Sequence, residues 1–198
     1  MNKKFLEILI WLLLVAFATS VNAATNDYRK SVVSLKFITA IGFHDFTPSG
    51  AFVSSTVDQL REKYLSTGFH LSLIHNLYRG LGFRQGLGFN ARFYQNIYND
   101  KLVANSLELP LQFSYSFFEN YSVFIGAMGN YQFFTDSRIP GSTDWNTLAA
   151  VASVEYKREI TQTVLCSIEL EYLHFFFQSP DAFLRREIRL NPGVLWSF

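Results

Sequence analysis

Nine charged residues lie at alternate positions within otherwise apolar stretches. Four are cations and five are carboxylates: Lys36, Arg84, Arg92, Glu108, Glu155, Glu169, Glu171, Glu187 and Arg189. A two-residue period places such positions on one face of a strand, opposite the apolar face. Charges buried on that face must pair, because an unpaired buried charge is strongly destabilising. We therefore predict an interior salt-bridge network, with a path for protons or ions as the functional alternative.

A second group of reactive side chains follows the first apolar stretch. His44, Asp45 and Ser49 bring a base, a carboxylate and a hydroxyl close together in the chain. These are the residue types that activate a nucleophile for acyl transfer. The same types also occur together by chance in polar loops, so we keep them as catalytic candidates and favour a protein that is not an enzyme.

The residues that could bind a metal are isolated from one another. His70 and His75 are five positions apart and therefore point to opposite faces of a strand. The single cysteine, Cys166, excludes an intramolecular disulfide and a cluster of thiolate ligands. We predict no metal site and no cofactor.

Eight stretches alternate between apolar and mostly polar positions, as strands with two different faces do. They are residues 33–43, 67–77, 81–95, 105–117, 121–134, 145–156, 163–177 and 186–198. Aromatic residues make up 17% of the chain and charged residues only 17%, which suits an apolar wall in lipid better than a soluble surface. Backbone groups in hydrocarbon must all be hydrogen bonded, so strands cross a bilayer only as a closed barrel. We predict an all-β, antiparallel, up-and-down transmembrane barrel of about eight strands.

The connections between these stretches alternate in length. The short ones are 78–80, 118–120 and 157–162, and the longer ones are 44–66, 96–104, 135–144 and 178–185. Bacterial outer-membrane barrels have short periplasmic turns and longer extracellular loops, so both termini are predicted to be periplasmic. The first long loop has two interpretations, a helical turn over residues 55–65 and an irregular loop.

The N-terminus has the features of an export signal. Residues 1–4 are basic, residues 8–18 are apolar, and residues 21–23 form a small-residue cleavage site. The apolar run is too short to span a bilayer as a helix. We predict a signal peptide over 1–23 and one barrel domain over 24–198, with an uncleaved anchor as the alternative.

The last strand combines an apolar face with an aromatic C-terminal residue. Its apolar positions are Ile188, Leu190, Pro192, Val194, Trp196 and Phe198. This end resembles that of small bacterial outer-membrane β-barrels, the porin-like OmpA- and OmpX-like family, and residues 107–111 also look like a strand of that family. The resemblance implies an outer-membrane location, contact with outer-membrane lipid and lipopolysaccharide, and an assembly signal at Trp196 and Phe198 for the barrel-assembly machinery. We expect a monomer, and the net charge of +1 indicates no nucleic-acid partner.

Some outer-membrane barrels modify lipid A, so their motifs are a second resemblance to consider. Deacylases of this kind carry a serine two residues after a histidine, whereas His174 is followed by three phenylalanines. A palmitoyltransferase-like site would instead use His44, Asp45 and Ser49. Our main hypothesis is a structural or surface-interaction barrel that acts through its extracellular loops. The alternatives are a lipid A-modifying acyl hydrolase or acyltransferase of the outer leaflet and a narrow passive channel.

One ion pair can be predicted from strand register. If the hairpin around the loop 96–104 is symmetric about residue 100, Arg92 lies directly opposite Glu108. Opposed residues of neighbouring strands have Cβ atoms about 4.5–5.5 Å apart, which allows a salt bridge. We predict that these two inward side chains pair.

Overall fold

The computed structural model describes residues 31–44, 63–78, 80–95, 101–117, 120–134, 145–178 and 184–197. They form eight strands: β1 (Ser31–His44), β2 (Lys63–Tyr78), β3 (Leu81–Gln95), β4 (Lys101–Phe117), β5 (Tyr121–Phe134), β6 (Trp145–Glu159), β7 (Val164–Gln178) and β8 (Leu184–Ser197). Each strand pairs with its chain neighbours, and β8 pairs antiparallel with β1, so the sheet closes into a barrel. The predicted all-β antiparallel barrel of eight strands is confirmed. In the described part of the chain, no helix has the length and apolar character needed to cross a bilayer.

The observed strands extend further toward the long loops than the sequence predicts. β3 and β5 have the predicted bounds, but β2 begins at Lys63 and β4 at Lys101. Tyr64 and Ala104 face inward and are buried in these extensions. Because apolar residues there occupy both faces, the alternation that marks a strand is lost. The helical interpretation of 55–65 is therefore wrong for its last three residues, and the rest of it lies outside the described residues.

Small differences remain at the other strand ends. β6 continues to Glu159, β7 runs from Val164 to Gln178, and β8 ends at Ser197. Phe198 and the predicted signal peptide, residues 1–23, lie outside the described residues.

Large apolar side chains cover the outside of the barrel on all eight strands. The Phe113 side chain is 68% exposed and the Ile125 side chain is 66% exposed. In a water-soluble protein, large apolar side chains of this kind are usually buried. The others include Phe37, Ile41, Leu65, Phe69, Leu71, Leu81, Leu87, Phe93, Leu107, Leu111, Tyr121, Val154, Tyr156, Ile168, Leu170, Ile188, Leu190 and Trp196. Soluble monomers rarely expose continuous apolar surface on this scale. We call these side chains the apolar belt.

Short turns close one end of the barrel. Gly80, between β2 and β3, has a φ of 83°, a left-handed conformation that glycine adopts without strain. Its carbonyl accepts a hydrogen bond from the Ser116 amide at 2.8 Å, which ties this turn to β4. We call this the short-turn end, and the opposite end, where the chain leaves β1 at His44, the long-loop end.

Inside the short-turn end the lumen is filled by apolar side chains. Ile74, Phe124 and Leu195 are buried against one another, and Val32 and Leu165 pack against them. We call Ile74, Phe124 and Leu195 the apolar plug. The charged residues of the lumen lie between this plug and the long-loop end.

Candidate functional site

All nine charged residues predicted to face inward lie in the lumen, and each is at most 3% exposed. The alternation of each strand places them there, since at least one residue beside each of them, except Arg84, belongs to the apolar belt. They form two groups. The long-loop cluster consists of Arg92, Arg189, Glu108 and Glu187, and the short-turn cluster consists of Lys36, Arg84, Glu155 and Glu169. Glu171 lies between the two.

In the long-loop cluster, two arginines and two glutamates bind one another alternately. Arg189 Nη2 lies 2.8 Å from Glu108 Oε1, and Arg189 Nε lies 2.7 Å from Glu187 Oε1. Arg92 Nη2 lies 2.9 Å from Glu108 Oε1, and Arg92 Nε lies 3.0 Å from Glu187 Oε2. Each guanidinium therefore bridges both carboxylates, which a planar group with five donors can do.

The register behind the predicted Arg92 and Glu108 pair is wrong, although the two side chains are in contact. Arg92 lies opposite Ala104, and Glu108 lies opposite Gly88. The hairpin is centred on residue 98, midway between Gln95 and Lys101, because β4 begins earlier than predicted. Arg92 reaches Glu108 diagonally, through the length of its side chain rather than through direct opposition.

Uncharged polar side chains add hydrogen bonds to both carboxylates of the long-loop cluster. Tyr64 Oη donates to Glu187 Oε2 at 2.7 Å, and Ser66 Oγ donates to Glu187 Oε1 at 3.1 Å. Asn90 Nδ2 donates to Glu108 Oε1 at 3.2 Å and to Glu187 Oε1 at 3.3 Å. Both oxygens of Glu187 are therefore hydrogen bonded to groups other than the arginines.

A histidine contacts the same cluster from β2, and a glycine makes this contact possible. His70 Nε2 lies 2.7 Å from Glu108 Oε2, so every oxygen of the two carboxylates has at least one partner. His70 on β2 and Glu108 on β4 both lie opposite Gly88, on the strand between them. A Cβ atom on residue 88 would lie 1.8 Å from His70 Cδ2. Glycine is thus needed for the imidazole to cross β3 and reach the carboxylate.

The short-turn cluster is built around Glu169. Lys36 Nζ lies 2.7 Å from Glu169 Oε2, and Arg84 Nη2 lies 2.7 Å from Glu169 Oε1. Ser153 Oγ also donates to Glu169 Oε1. The Arg84 guanidinium lies 3.9 Å from the centre of the Phe124 ring, so the cluster rests on the apolar plug.

Glu155 is held differently from the other carboxylates. Its Oε1 lies 2.7 Å from Lys36 Nζ, close enough for an ion pair. Among the described residues, however, neither oxygen of Glu155 accepts a well-aligned hydrogen bond. The attraction at Glu155 is therefore mainly electrostatic.

Glu171 connects the two clusters. Its Oε1 lies 3.3 Å from Arg189 Nη1, and its Oε2 lies 3.8 Å from Arg84 Nη2. The lumen network is consequently continuous from Tyr64 to Lys36. It contains one more carboxylate than arginine and lysine side chains, and His70 supplies a further positive charge when it is protonated.

The catalytic candidates are not assembled in the described structure. Only the backbone of His44 is described, as the last residue of β1, and Asp45 and Ser49 lie outside the described residues. His174 faces outward and is exposed. Across the described strands and turns, no group of three or more His, Cys, Asp or Glu side chains could hold a metal ion.

The expected assembly signal is described in part. Trp196 faces outward near the end of β8, as part of the apolar belt. The amide of Ser197, the next residue, donates to the Thr163 carbonyl at 3.0 Å. The structure therefore places this end of β8 beside the start of β7, while Phe198 itself lies outside the described residues.

Part of the site is not apparent from the sequence, for identifiable reasons. Tyr64 and Ser66 lie within the predicted first loop, where no strand alternation marks them as inward. Asn90 and His70 lie on strand faces that the two-residue period places inward, but that period does not show which inward side chains meet across the lumen. The glycines opposite these two residues are the sequence feature that points to the contacts, because glycine on an inner face leaves room for a large neighbouring side chain.

The barrel is similar to solved outer-membrane proteins. One is the attachment invasion locus protein Ail of Yersinia pestis, which is 12% identical over 86% of this chain and 99% of that chain, with a TM-score of 0.53. A major outer membrane protein of Thermus thermophilus is 14% identical over 86% of this chain and 100% of that chain, with a TM-score of 0.55. Neisserial surface protein A is 13% identical over 85% of this chain and 97% of that chain, with a TM-score of 0.53.

These similarities establish the fold. The chain has the architecture of the small bacterial outer-membrane barrels, as the resemblance of its last strand implies. No protein-family model matches the chain. No curated protein is significantly similar to it in sequence.

Proposed function

We propose that the protein is an integral outer-membrane barrel that carries surface loops on a rigid, closed support. The main observation behind this proposal is the distribution of polar and apolar side chains, which is the reverse of that in a water-soluble protein. The apolar belt lies outside, and a network of paired charges lies inside. Water would be a poor solvent for the belt, whereas lipid requires an apolar surface. A membrane location also explains why the ionisable side chains are gathered in the lumen.

The interior supports a structural role rather than transport. An eight-stranded barrel is only wide enough for its own side chains. Here the two clusters occupy the middle of the lumen, and the apolar plug fills it toward the short turns. A narrow passive channel would need these groups to separate, so we expect no steady conductance from the folded protein.

The loops are the surface left for interaction. The four longer connections leave the barrel at one end, and the described chain begins at Ser31 and ends at Ser197 at the other. In the orientation usual for outer-membrane barrels, the long loops are extracellular and both termini are periplasmic. Two of the barrels with this fold are named an attachment invasion locus protein and a surface protein, which agrees with a surface role.

Cysteine labelling tests the proposed location and orientation. Cys166 is the only cysteine of the chain, so Cys166→Ser provides a background without thiols. In that background, Ser55→Cys in the first long loop should react with a membrane-impermeant maleimide on intact cells. Thr161→Cys, in an exposed short turn, should react only after the outer membrane is permeabilised. Labelling of Thr161→Cys alone in intact cells would reverse the orientation, and a labelled soluble fraction would refute the membrane location.

The C-terminal assembly signal has a separate test. We expect deletion of Phe198, or its replacement by a charged residue, to reduce insertion by the barrel-assembly machinery while export continues. The amount of heat-modifiable barrel in the outer membrane measures insertion. Insertion at the wild-type level would contradict a recognition role for Phe198.

The enzymatic alternative is tested on lipid A itself. Mass spectrometry of lipid A from cells with and without the protein should show the same acyl chains if the barrel is not an enzyme. An acyl chain gained or lost with the wild-type protein, and unchanged with a His44→Ala and Ser49→Ala variant, would replace our proposal with an acyltransferase or hydrolase.

A further inference from the structure

Four side chains form a row across the outside of β2, β1, β8 and β7 near the long-loop end. The strand registers pair Lys63 with Phe43, Phe43 with Arg186, and Arg186 with His174. Lys63, Arg186 and His174 are exposed, and Phe43 is partly exposed. We call these four residues the basic row. Three spacings between neighbouring strands make it about 14 Å long.

An aromatic ring holds the two permanent cations of the row together. Lys63 Nζ lies 5.9 Å from the centre of the Phe43 ring, and Arg186 Cζ lies 4.8 Å from it. Both distances are within the range of cation–π attraction. Two positive charges are thus concentrated on adjacent strands around one side chain.

No carboxylate of the described strands neutralises these charges. Five of the six described glutamates are buried in the lumen, and the sixth, Glu159, is exposed at the short-turn end. Lys63 and Arg186 therefore have no ion-pair partner among the described residues. Within the described strands, these two charges are therefore left to interact with an external anion.

The height of the row on the barrel identifies where that anion would be. Two residues closer to the barrel middle, the same four strands carry Leu65, Ile41, Ile188 and Tyr172, all exposed members of the outer surface. At about 3.3 Å per residue and a tilt of about 40°, the basic row lies only about 5 Å beyond these apolar side chains. Lysine and arginine at such a boundary keep their charged heads at the level of the lipid headgroups.

We infer that the basic row binds the phosphate groups of lipid A in the outer leaflet. This inference rests on the proposed membrane location and orientation, which place the long-loop end in that leaflet. Arg186 can bind a phosphate through two parallel hydrogen bonds, and Lys63 adds a second point of positive charge. The length of the row suits a lipid that carries more than one phosphate, and the apolar belt below it contacts the acyl chains.

The row lies on four adjacent strands, on one side of the barrel. On β3, β4 and β5, the outward residues just below the same rim are neutral: Phe93, Val103, Asn105 and Tyr131. Lys101, at the start of β4, pairs with Gln95 and is a further cation at this end. We expect lipid A to prefer the position beside β1 and β8, where two cations share one aromatic ring.

Native mass spectrometry of the refolded protein can test the site. The probes are diphosphoryl lipid A, the same lipid A after removal of its phosphates, and phosphatidylglycerol. We expect the wild-type protein to bind diphosphoryl lipid A in preference to both others. A Lys63→Gln and Arg186→Gln double variant should bind it about tenfold more weakly, with about threefold for each single change, as two exposed charge contacts would give. The matched control is Arg158→Gln, which removes an exposed cation at the short-turn end and should leave binding unchanged.

Two results would overturn the inference. One is equal binding of diphosphoryl lipid A by the double variant and the wild-type protein. The other is equal binding of the dephosphorylated lipid or of phosphatidylglycerol by the wild-type protein.

Heat-modifiable migration and insertion into liposomes show separately whether each variant forms the barrel. Failure of the wild-type protein to insert would refute the proposed function, whereas an inserted barrel without lipid A preference would refute only the basic row. If the double variant does not fold, the two single variants decide the question.

Discussion

The two charged clusters of the lumen differ in their cations and in how well their carboxylates are hydrogen bonded. In the long-loop cluster, two arginines and the surrounding polar groups give every oxygen of Glu108 and Glu187 a partner. In the short-turn cluster, Lys36 approaches both Glu155 and Glu169, and among the described residues Glu155 accepts no hydrogen bond. A forked guanidinium can satisfy two carboxylates at once, while an ammonium acts mainly as a point charge.

This difference predicts that the long-loop cluster contributes more to stability than the short-turn cluster. The contributions of the two clusters to stability can be compared with variants, because each cluster contains a cation that contacts two or more carboxylates. Urea titration of the protein refolded in detergent or lipid gives the free energy of unfolding for each variant.

Arg189→Met should have the largest effect. It removes the cation that contacts Glu108, Glu171 and Glu187 and leaves buried carboxylates with fewer partners. Breaking a buried ion pair in this way costs about 3–5 kcal/mol. A loss below that of the Lys36 variant would contradict the greater contribution of the long-loop cluster.

Lys36→Met should have an intermediate effect. Glu155 loses its ion-pair partner, but Glu169 keeps Arg84 and the Ser153 hydroxyl. We expect a loss of about 3 kcal/mol, at the lower end of the range for a broken buried ion pair, because only one carboxylate is left without its cation. A loss equal to that of Arg189→Met would mean that the type of cation does not matter in this lumen.

Gly88→Ala should have a smaller effect, transmitted through His70. The added methyl group forces the imidazole away from Glu108, and such overpacking typically costs about 1–3 kcal/mol. Gly129→Ala is the matched control, because its added Cβ would meet only Leu109 Cβ, at 3.9 Å. The control should change the free energy of unfolding by less than about 0.5 kcal/mol. Equal effects of the two substitutions would show that His70 does not need the space above Gly88.

The sequence predicts the barrel and its inner face well, because alternation reflects which side of each strand meets lipid. Lys36, Glu169 and Arg189 could all be assigned to the lumen from their positions alone. The partners could not be assigned in the same way. They depend on register around the whole barrel, and an error of two residues at the centre of the β3–β4 hairpin moved the residue opposite Arg92 from Glu108 to Ala104.

The limits of the strands were harder to predict than their faces. Near the long-loop end, Tyr64 is an apolar ring on the inner face beside Leu65 on the outer face. Because apolar residues occupy both faces here, the sequence does not alternate between apolar and polar positions. This part of β2 is therefore predicted as a loop. Tyr64 nevertheless belongs to the lumen network, because its hydroxyl donates a hydrogen bond to Glu187.

A double-mutant cycle on Arg92 and Glu108 tests most directly whether the lumen is a connected network of paired charges. Arg92→Leu, Glu108→Leu and the double variant should all be measured by urea titration in the same lipid. Because the two side chains share a contact at 2.9 Å, we expect the double variant to lose at least about 1 kcal/mol less than the two single losses combined. Arg92→Leu with Arg158→Gln is the control cycle, since Arg158 is exposed at the short-turn end, outside the lumen network, and the two losses should be additive. Additivity of Arg92 and Glu108 within about 0.5 kcal/mol would contradict the paired lumen and, with it, the rigid support that we propose for the loops.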